Sequence, residues 1–404
     1  MKYSSSFNKQ PIANDSLSLS LKALALSTIL FVVGCGDIET NKLAIFEKIT
    51  IGQLPNIRND DMKGALQATK KSCSVFLRQA DNKMVGTTTL PLRAKHMKGV
   101  CKLLLPIKTV RSYKRWLKSG FDAWQVSSTS GNTTGTFTGY FEAELHGYLK
   151  QTSTYKYPIY GFPHDMAIAD LSKWGNNKLT GKIVGRMVDK KFVPYMKRRD
   201  IDAKKINAPI LAWAKDPVEV FLLHIQGSGR INLPEGGVLR LGYAGNNGHK
   251  YKSLGKALID SGHMTYSNAN WGNIKRWVKN NPDKADDMLA TNERYIFFRN
   301  IKSNMGGPIG KMGVALTPRR SIAVDHGIIP MGLPLWLDAG GVGDIDRISR
   351  LMQTQDTGSA IRGAVRGDFF WGYGVEALSF AGKMKSKGTY YIFLPKGINP
   401  NTLR

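Results

Sequence analysis

From Gly131 onward, glycines and prolines cut the chain into short stretches rich in β-branched and aromatic residues, and this punctuation limits its fold more than any other feature. The run from Gly135 to Leu145 alternates apolar and polar residues as a half-buried strand does. Shorter strand candidates follow at residues 158–161, 182–187, 218–226, 295–299, 321–324, 334–337, 347–353 and 390–394. Helical spacing is confined to residues 62–79, 92–105 and on through Gly120, then to 251–260, 269–279 and a segment opened by Pro282. Short strands at this spacing with few helices among them predict a mainly β protein built of barrel domains.

With 404 residues, 42% of them hydrophobic, the chain can bury a large core and divide into two domains. Lys and Arg number 58 against 30 Asp and Glu, a formal charge of +28 that concentrates polyanions: nucleic acid, anionic lipid or an acidic wall polymer. The cations read as scattered, with no zinc-finger, basic-zipper or ribonucleoprotein motif beside them. The N-terminus narrows the choice. Lys2, Lys9 and Lys22 precede an apolar run at 23–33 that Val32-Val33-Gly34-Cys35 closes, the layout of a secretory signal and too short to span a bilayer comfortably. That ending resembles a bacterial lipobox, which implies a signal peptide over residues 1–34, acylation of Cys35 and a tether at 35–42. An uncleaved anchor or a plain signal peptide is the alternative. Export removes nucleic acid from the partners, and several acyl chains on one residue would anchor the protein firmly. Gly36 stands where the sorting pattern of inner-membrane lipoproteins has aspartate, so the expected address is the outer membrane, facing the periplasm.

Cys73 and Cys101 are the other two cysteines, each within a helical stretch, and in an exported protein a disulfide between them is expected, two buried free thiols being the alternative. The seven histidines show no metal-ligand spacing, so no metal and no cofactor is expected. Gln226-Gly227-Ser228-Gly229-Arg230 lacks the last glycine of a dinucleotide fingerprint, and Ser228 lacks the glycine two residues before it that a nucleophile elbow needs. What remains is a set of backbone amides and short polar groups suited to lining a sugar groove, or plain turn glycines.

Residues 349–374 hold the acids of interest. Asp356 and Asp368 flank a glycine-bearing loop in a strand, loop, strand pattern that delivers both to one neighbourhood. Phe369, Phe370 and Trp371 beside Asp368 would strip its hydration and raise its pKa toward that of a general acid, whereas Thr357, Gly358 and Ser359 should keep Asp356 ionised. The bland alternative is two loop carboxylates that cap backbone N–H groups.

Longer matches give these residues a family. Gly139-Tyr140-Phe141, Tyr157-Pro158-Ile159-Tyr160, Gln226-Gly227-Ser228-Gly229, the run from Tyr243 to Asp260, Asp325-His-Gly-Ile-Ile-Pro330, and the run from Asp356 to Gly363 with Gly367-Asp368 resemble the membrane-bound lytic murein transglycosylase A family. The resemblance covers about residues 138–394. It implies a double-psi, barwin-like β-barrel with flanking helices, assembled from residues 43–138 and 300–396. A second β-rich domain, 139–299, would be inserted between them and leave a groove for a peptidoglycan strand. The family's catalytic acid falls on Asp368; Asp356, Tyr140 and the Gln226, Gly227, Ser228, Gly229 loop fall on substrate-binding positions. Two departures stand out: Ser359 where the family often has glycine, and Phe370 where it often has tyrosine.

The implied activity is cleavage of the bond between N-acetylmuramic acid and N-acetylglucosamine with closure of a 1,6-anhydro ring. The substrate's own C6 hydroxyl replaces water, so one carboxylate suffices where a hydrolase needs two. An inverting hydrolase using Asp368 and Asp356, or a non-catalytic wall-binding lipoprotein, is the alternative. Protein partners such as wall-synthesis or scaffold proteins are not specified by the sequence.

Overall fold

The computed structural model describes residues 43–174, 181–203, 206–301 and 306–403; the signal segment, Cys35 and the tether at 35–42 lie outside the described residues. The first described strand, β1 (Ile45–Ile49), is followed by three helices, α1 (Ala65–Arg78), α2 (Ala94–Leu104) and α3 (Val110–Gly120), then by β2 (Phe121–Ser127) and β3 (Gly135–Tyr148). The region before Gly120 is therefore not helical throughout. β1 lays Phe46 into the core and pairs antiparallel with β2. A disulfide joins Cys73 of α1 to Cys101 of α2 across 28 residues and staples the two helices.

Four strands near the C-terminus, β12 (Ser321–Val324), β13 (Pro334–Val342), β14 (Ile345–Asp356) and β15 (Arg366–Tyr373), precede a helix, α9 (Gly374–Lys383), and a last strand, β16 (Lys385–Pro395). β3 pairs with β15, β15 with β12, β12 with β14, β14 with β13, β13 with β16, and β16 returns to β3, so the ladder closes into a barrel. Closure leaves no open edge in that ring, and β2 extends it outward from β16. Phe137, Leu335, Leu337, Leu351, Phe369 and Ile392, from different strands of the ring, meet in one buried cluster.

β3 outlasts the barrel. Its residues 136–142 partner β15, whereas 143–146 partner a strand of a second layer, so one continuous strand is shared between the two. The intervening chain supplies β4 (Tyr157–Tyr160), β5 (Met166–Asp170), β6 (Lys182–Val188), β7 (Lys191–Pro194), α4 (Arg198–Ala203) and β8 (Ile210–Ala214). Then come α5 (Pro217–Gln226), β9 (Gly229–Asn232), β10 (Val238–Asn246), α6 (Leu254–Asp260), α7 (Trp271–Asn280), α8 (Pro282–Ala290) and β11 (Ile296–Ile301). β9 is the strand that takes over β3, with β10 and β11 beside it. Val218 and Phe221 of α5 pack with Leu254, Leu258, Ile274 and Leu289 in a separate core that holds α5 to α8 together.

Residues 218–226 were expected to be a strand and are the helix α5. Their β-branched residues favour a strand, but both ends carry helix signals that prevail. Asp216 caps the first turn by accepting from Val218 N at 2.8 Å, Pro217 occupies the first helical position, and Gly227 closes the end with φ of 73°. The helix also buries Val220, Phe221 and Leu223, so its apolar content reflects burial rather than β geometry.

The N-terminal segment is fixed to the barrel by a buried ion pair. Asp60 accepts two hydrogen bonds of 2.7 Å from the Arg320 guanidinium and a third from Leu351 N on β14. Burial alone would raise the Asp60 pKa, but the Arg320 bonds and charge and the backbone donors together hold it below the usual carboxylate range. Such a group stabilises the fold fully above its unfolded pKa, and the stabilisation is lost as the pH falls through the lowered folded value. Asp60→Ala takes the bidentate partner from the buried Arg320 and leaves it the more exposed Asp61 and the Leu351 carbonyl. It should therefore cost about 3 kcal/mol in urea unfolding, with a weaker dependence of stability on pH across the acid range. A loss of only the roughly 0.5 kcal/mol of a surface change would contradict this.

Candidate active site

β12 lies between β14 and β15, and its Ala323 is the register partner of both Asp356 on β14 and Asp368 on β15. Asp368 in turn sits opposite Thr138 of β3. Asp356, Ala323, Asp368 and Thr138 therefore form one row across the barrel wall, and strand spacing sets the Cα atoms of the two acids about 10 Å apart. All four line a cavity of about 380 Å³ whose other wall is Gln226 of α5 with Tyr251, Asn270 and Trp271. The small side chain of Ala323 keeps the floor between the carboxylates low.

Asp368 accepts a 2.6 Å hydrogen bond from Thr138 Oγ1, which itself accepts from Arg366 Nη2 at 2.8 Å. Arg366 also donates to the carbonyl of Thr136, so its nearest partners are a hydroxyl and the backbone rather than the acid. Burial pushes the Asp368 pKa up to about 6; the Thr138 bond and the Arg366 charge oppose the rise, and the Asp356 charge adds to it.

Asp356 accepts from Lys311 N at 2.9 Å and from the Tyr140 hydroxyl at 2.9 Å. These donors, with Thr357 N, do not keep its pKa in the ordinary range as the neighbouring hydroxyls and glycine suggested: burial outweighs them and the pKa is raised. Tyr140 is itself pushed well above its ordinary pKa by burial and by the two carboxylates, so it remains a donor. Thr138 and Tyr140, two apart on β3, each hold one of the acids.

Gln226 ends α5, and its Oε1 accepts from Phe141 N at 3.1 Å, tying the helix to β3 beside Tyr140. Gly227, Ser228 and Gly229 form the turn that follows and are not among the residues lining the cavity. Gly229 has no space for a side chain, since a Cβ would lie 2.4 Å from Leu223 Cδ1 and 2.8 Å from the carbonyl oxygen of Ala143. Asp325 also stays out of the cavity. It accepts from Gly327 N and Gly363 N and so braces the loop between Asp356 and Asp368. Among the described residues, no group of three or more His, Cys, Asp or Glu could hold a metal ion.

Thr138, Ala323, Arg366 and the Tyr251, Asn270, Trp271 wall are absent from the residues read off the sequence. The period-two alternation of β3 puts Thr138 on the face of Tyr140 and was a usable signal. Ala323 has no signal until the strand order is known.

Two sequence families match the chain: the MltA specific insert domain over residues 136–299 and the 3D domain over residues 320–394. The chain is 29% identical over 281 residues to membrane-bound lytic murein transglycosylase A of Escherichia coli strain K12, covering 68% of this chain and 69% of that one. The crystal structure of MltA from Neisseria gonorrhoeae superposes with a TM-score of 0.76 at 33% identity, over 88% of this chain and 94% of that chain. The membrane-bound lytic murein transglycosylase from Agrobacterium tumefaciens gives a TM-score of 0.76 at 28% identity, over 87% and 98% of the two chains.

The electrostatics of the row can be measured directly. In a chain carrying carbon-13 at aspartate carboxyls, the Asp368 resonance should titrate near pH 6. Asp356→Asn removes a like charge and should move that midpoint down, while Arg366→Gln removes an opposing one and should move it up. A midpoint in the ordinary carboxylate range, unmoved by either substitution, would contradict the described environment.

Proposed function

The chain belongs to the MltA family of lytic murein transglycosylases, and on that premise we propose that Asp368 is the single acid and base of its reaction. The reaction is cleavage of the β-1,4 bond between N-acetylmuramic acid and N-acetylglucosamine in peptidoglycan, with formation of 1,6-anhydromuramic acid. The observation that carries the assignment of Asp368 is a cavity-lining carboxyl whose pKa is raised to about 6. A group so poised remains partly protonated near neutral pH, as a general acid must.

Thr138 donates to one oxygen of Asp368, which leaves the other to carry the proton to the glycosidic oxygen as the C1–O bond breaks. The carboxylate so formed then takes the proton of the C6 hydroxyl, whose oxygen bonds to C1 and closes the ring. No water enters, because the nucleophile is already part of the sugar. Asp356, held by Tyr140 and Lys311 N on the far side of Ala323, stabilises the positive charge that develops at the ring. Gln226 and Tyr140 bind the glycan, and Gly227, Ser228 and Gly229 serve by placing Gln226.

In this reading the barrel (residues 43–138 and 300–396) and the insert (139–299) are the two walls of a glycan groove. Association with a membrane accords with the names of the relatives, and acylation of Cys35 at the inner face of the outer membrane is the form we infer for it.

Asp368→Asn keeps the shape of the side chain and removes the transferable proton, so turnover should fall by at least roughly 10²–10⁴ while oligosaccharide binding persists. Asp356→Asn should cost less, and azide should not restore its activity, since an internal hydroxyl leaves no vacancy for an external nucleophile. An azido sugar formed by Asp356→Asn would reverse the assignment in favour of hydrolysis with Asp356 as base. Cys35→Ala should leave membranes on a salt wash that the parent chain resists; equal retention of both would defeat the lipid anchor.

A further inference from the structure

The positive charge is less evenly spread than the reading of scattered cations has it. Residues 82–121, which hold α2 and α3, contain no aspartate or glutamate. Among the described residues the one ion pair made by this segment is Lys98 with Asp81. α3 buries Tyr113, Trp116 and Leu117 and turns Arg111, Lys114, Arg115 and Lys118 outward. Where α2 runs into α3, Leu103 and Leu105 are 67% and 55% exposed between the exposed Lys102 and Lys108. Lys70 of α1 reaches the same corner, with its Nζ donating to the carbonyl of Leu105 at 3.0 Å. Asp81, which pairs with Lys98 and feels the charges of Lys102 and Lys95, leaves the cations in large excess. Exposed leucines among such cations suit neither a core nor a purely aqueous surface.

The chain enters the described structure beside this unit. Leu43 N donates to Thr89 Oγ1, a few residues before α2, and Leu43 and Ile45 are themselves about half exposed. Leu43 lies eight residue steps along the chain from Cys35, with residues 36–42 between them. A stretch of that length reaches at most about 28 Å when fully extended, so an acylated Cys35 would hold the body within that distance of the lipid.

We propose that the α2–α3 corner is a membrane-docking face that seats on an anionic phospholipid surface, with Leu103 and Leu105 entering the headgroup layer and Lys102, Lys108, Arg111 and Arg115 facing the lipid phosphates. The tether argument rests on acylation of Cys35 as read above; the charge and the exposed leucines do not. Basic residues around a small apolar tip bind by electrostatic attraction plus apolar burial, and either alone is marginal. Docking would fix the orientation of the barrel relative to the membrane, which a flexible anchor alone does not do.

The test uses the mature chain, residues 35–404, carrying Cys35→Ala, which lacks both the signal segment and the acylated residue, sedimented with vesicles of phosphatidylethanolamine containing phosphatidylglycerol and with vesicles of phosphatidylcholine. The expected result is binding to the anionic vesicles that salt reverses, with little binding to the neutral ones. Adding Lys108→Gln, Arg111→Gln and Arg115→Gln should weaken partition on the order of 100-fold, at about 1 kcal/mol for each charge. Leu103→Ser with Leu105→Ser should weaken it too and leave its salt dependence in place. None of these residues lines the cavity, so release of fragments from solubilised glycan strands should match the parent and report intact folding. Equal binding by the triple-glutamine variant would overturn the proposal. So would binding to lipid-free sacculi, but not to vesicles, that the same substitutions abolish, since the face would then belong to the wall polymer. The mass of the unsubstituted protein tests acylation separately, so failure of the anchor and failure of the face are distinguishable.

Discussion

The register of one short strand governs the site. β12 has four residues, and because β14 runs parallel to it on one side and β15 antiparallel on the other, Ala323 alone is opposite both acids. A slip of one residue on either side would turn an aspartate to the opposite face. The register of β14 is held by more than its ladder. Gln353 and Gln355, fully buried, reach α1, where Gln353 donates to Thr69 Oγ1 and Gln355 to the carbonyl of Ala68 and to Ser72 Oγ. Ser321 of β12 donates back to Gln355 Oε1. Buried amides carry a penalty when unpaired, so these contacts exclude a slipped strand as well as hold the correct one.

The same barrel sets two buried acids in opposite states. Asp60 faces the fork of Arg320 and is held ionised, which ties the N-terminal segment down. Asp368 has an arginine two residues away, yet Arg366 is directed to Thr138 and the Thr136 carbonyl, and the carboxyl keeps one hydroxyl donor. A direct guanidinium contact at Asp368 would depress its pKa and remove the proton it has to give. Interposing Thr138 moderates the shift while leaving the acid usable.

The barrel was legible from glycine-bounded strands because such spacing allows few other architectures, and the helices of the N-terminal part were legible from their apolar periodicity. α5 was misread because burial makes a short helix as uniformly apolar as a strand, and its caps at Asp216 and Gly227 were the discriminating residues. Asp356 and Asp368 were visible as a pair, with Tyr140 and Gln226 near them through the family resemblance. The raised pKa of Asp356 was not visible, since burial depends on which elements cover a residue. Ala323 and the wall of Tyr251, Asn270 and Trp271 were hidden for a related reason: their roles exist only once distant strands and helices are neighbours. The gathering of charge at α2 and α3 escaped a reading of the cations alone, since the missing acids are what mark it.

The proposed reaction uses the sugar's own hydroxyl and a single carboxyl. Digesting purified sacculi in water enriched in heavy oxygen and weighing the released fragments tests this most directly. The expected fragments carry no heavy oxygen at C1 and are lighter than hydrolysis products by the mass of a water molecule. Reducing ends labelled with heavy oxygen would contradict it, because the oxygen at C1 would then have come from solvent.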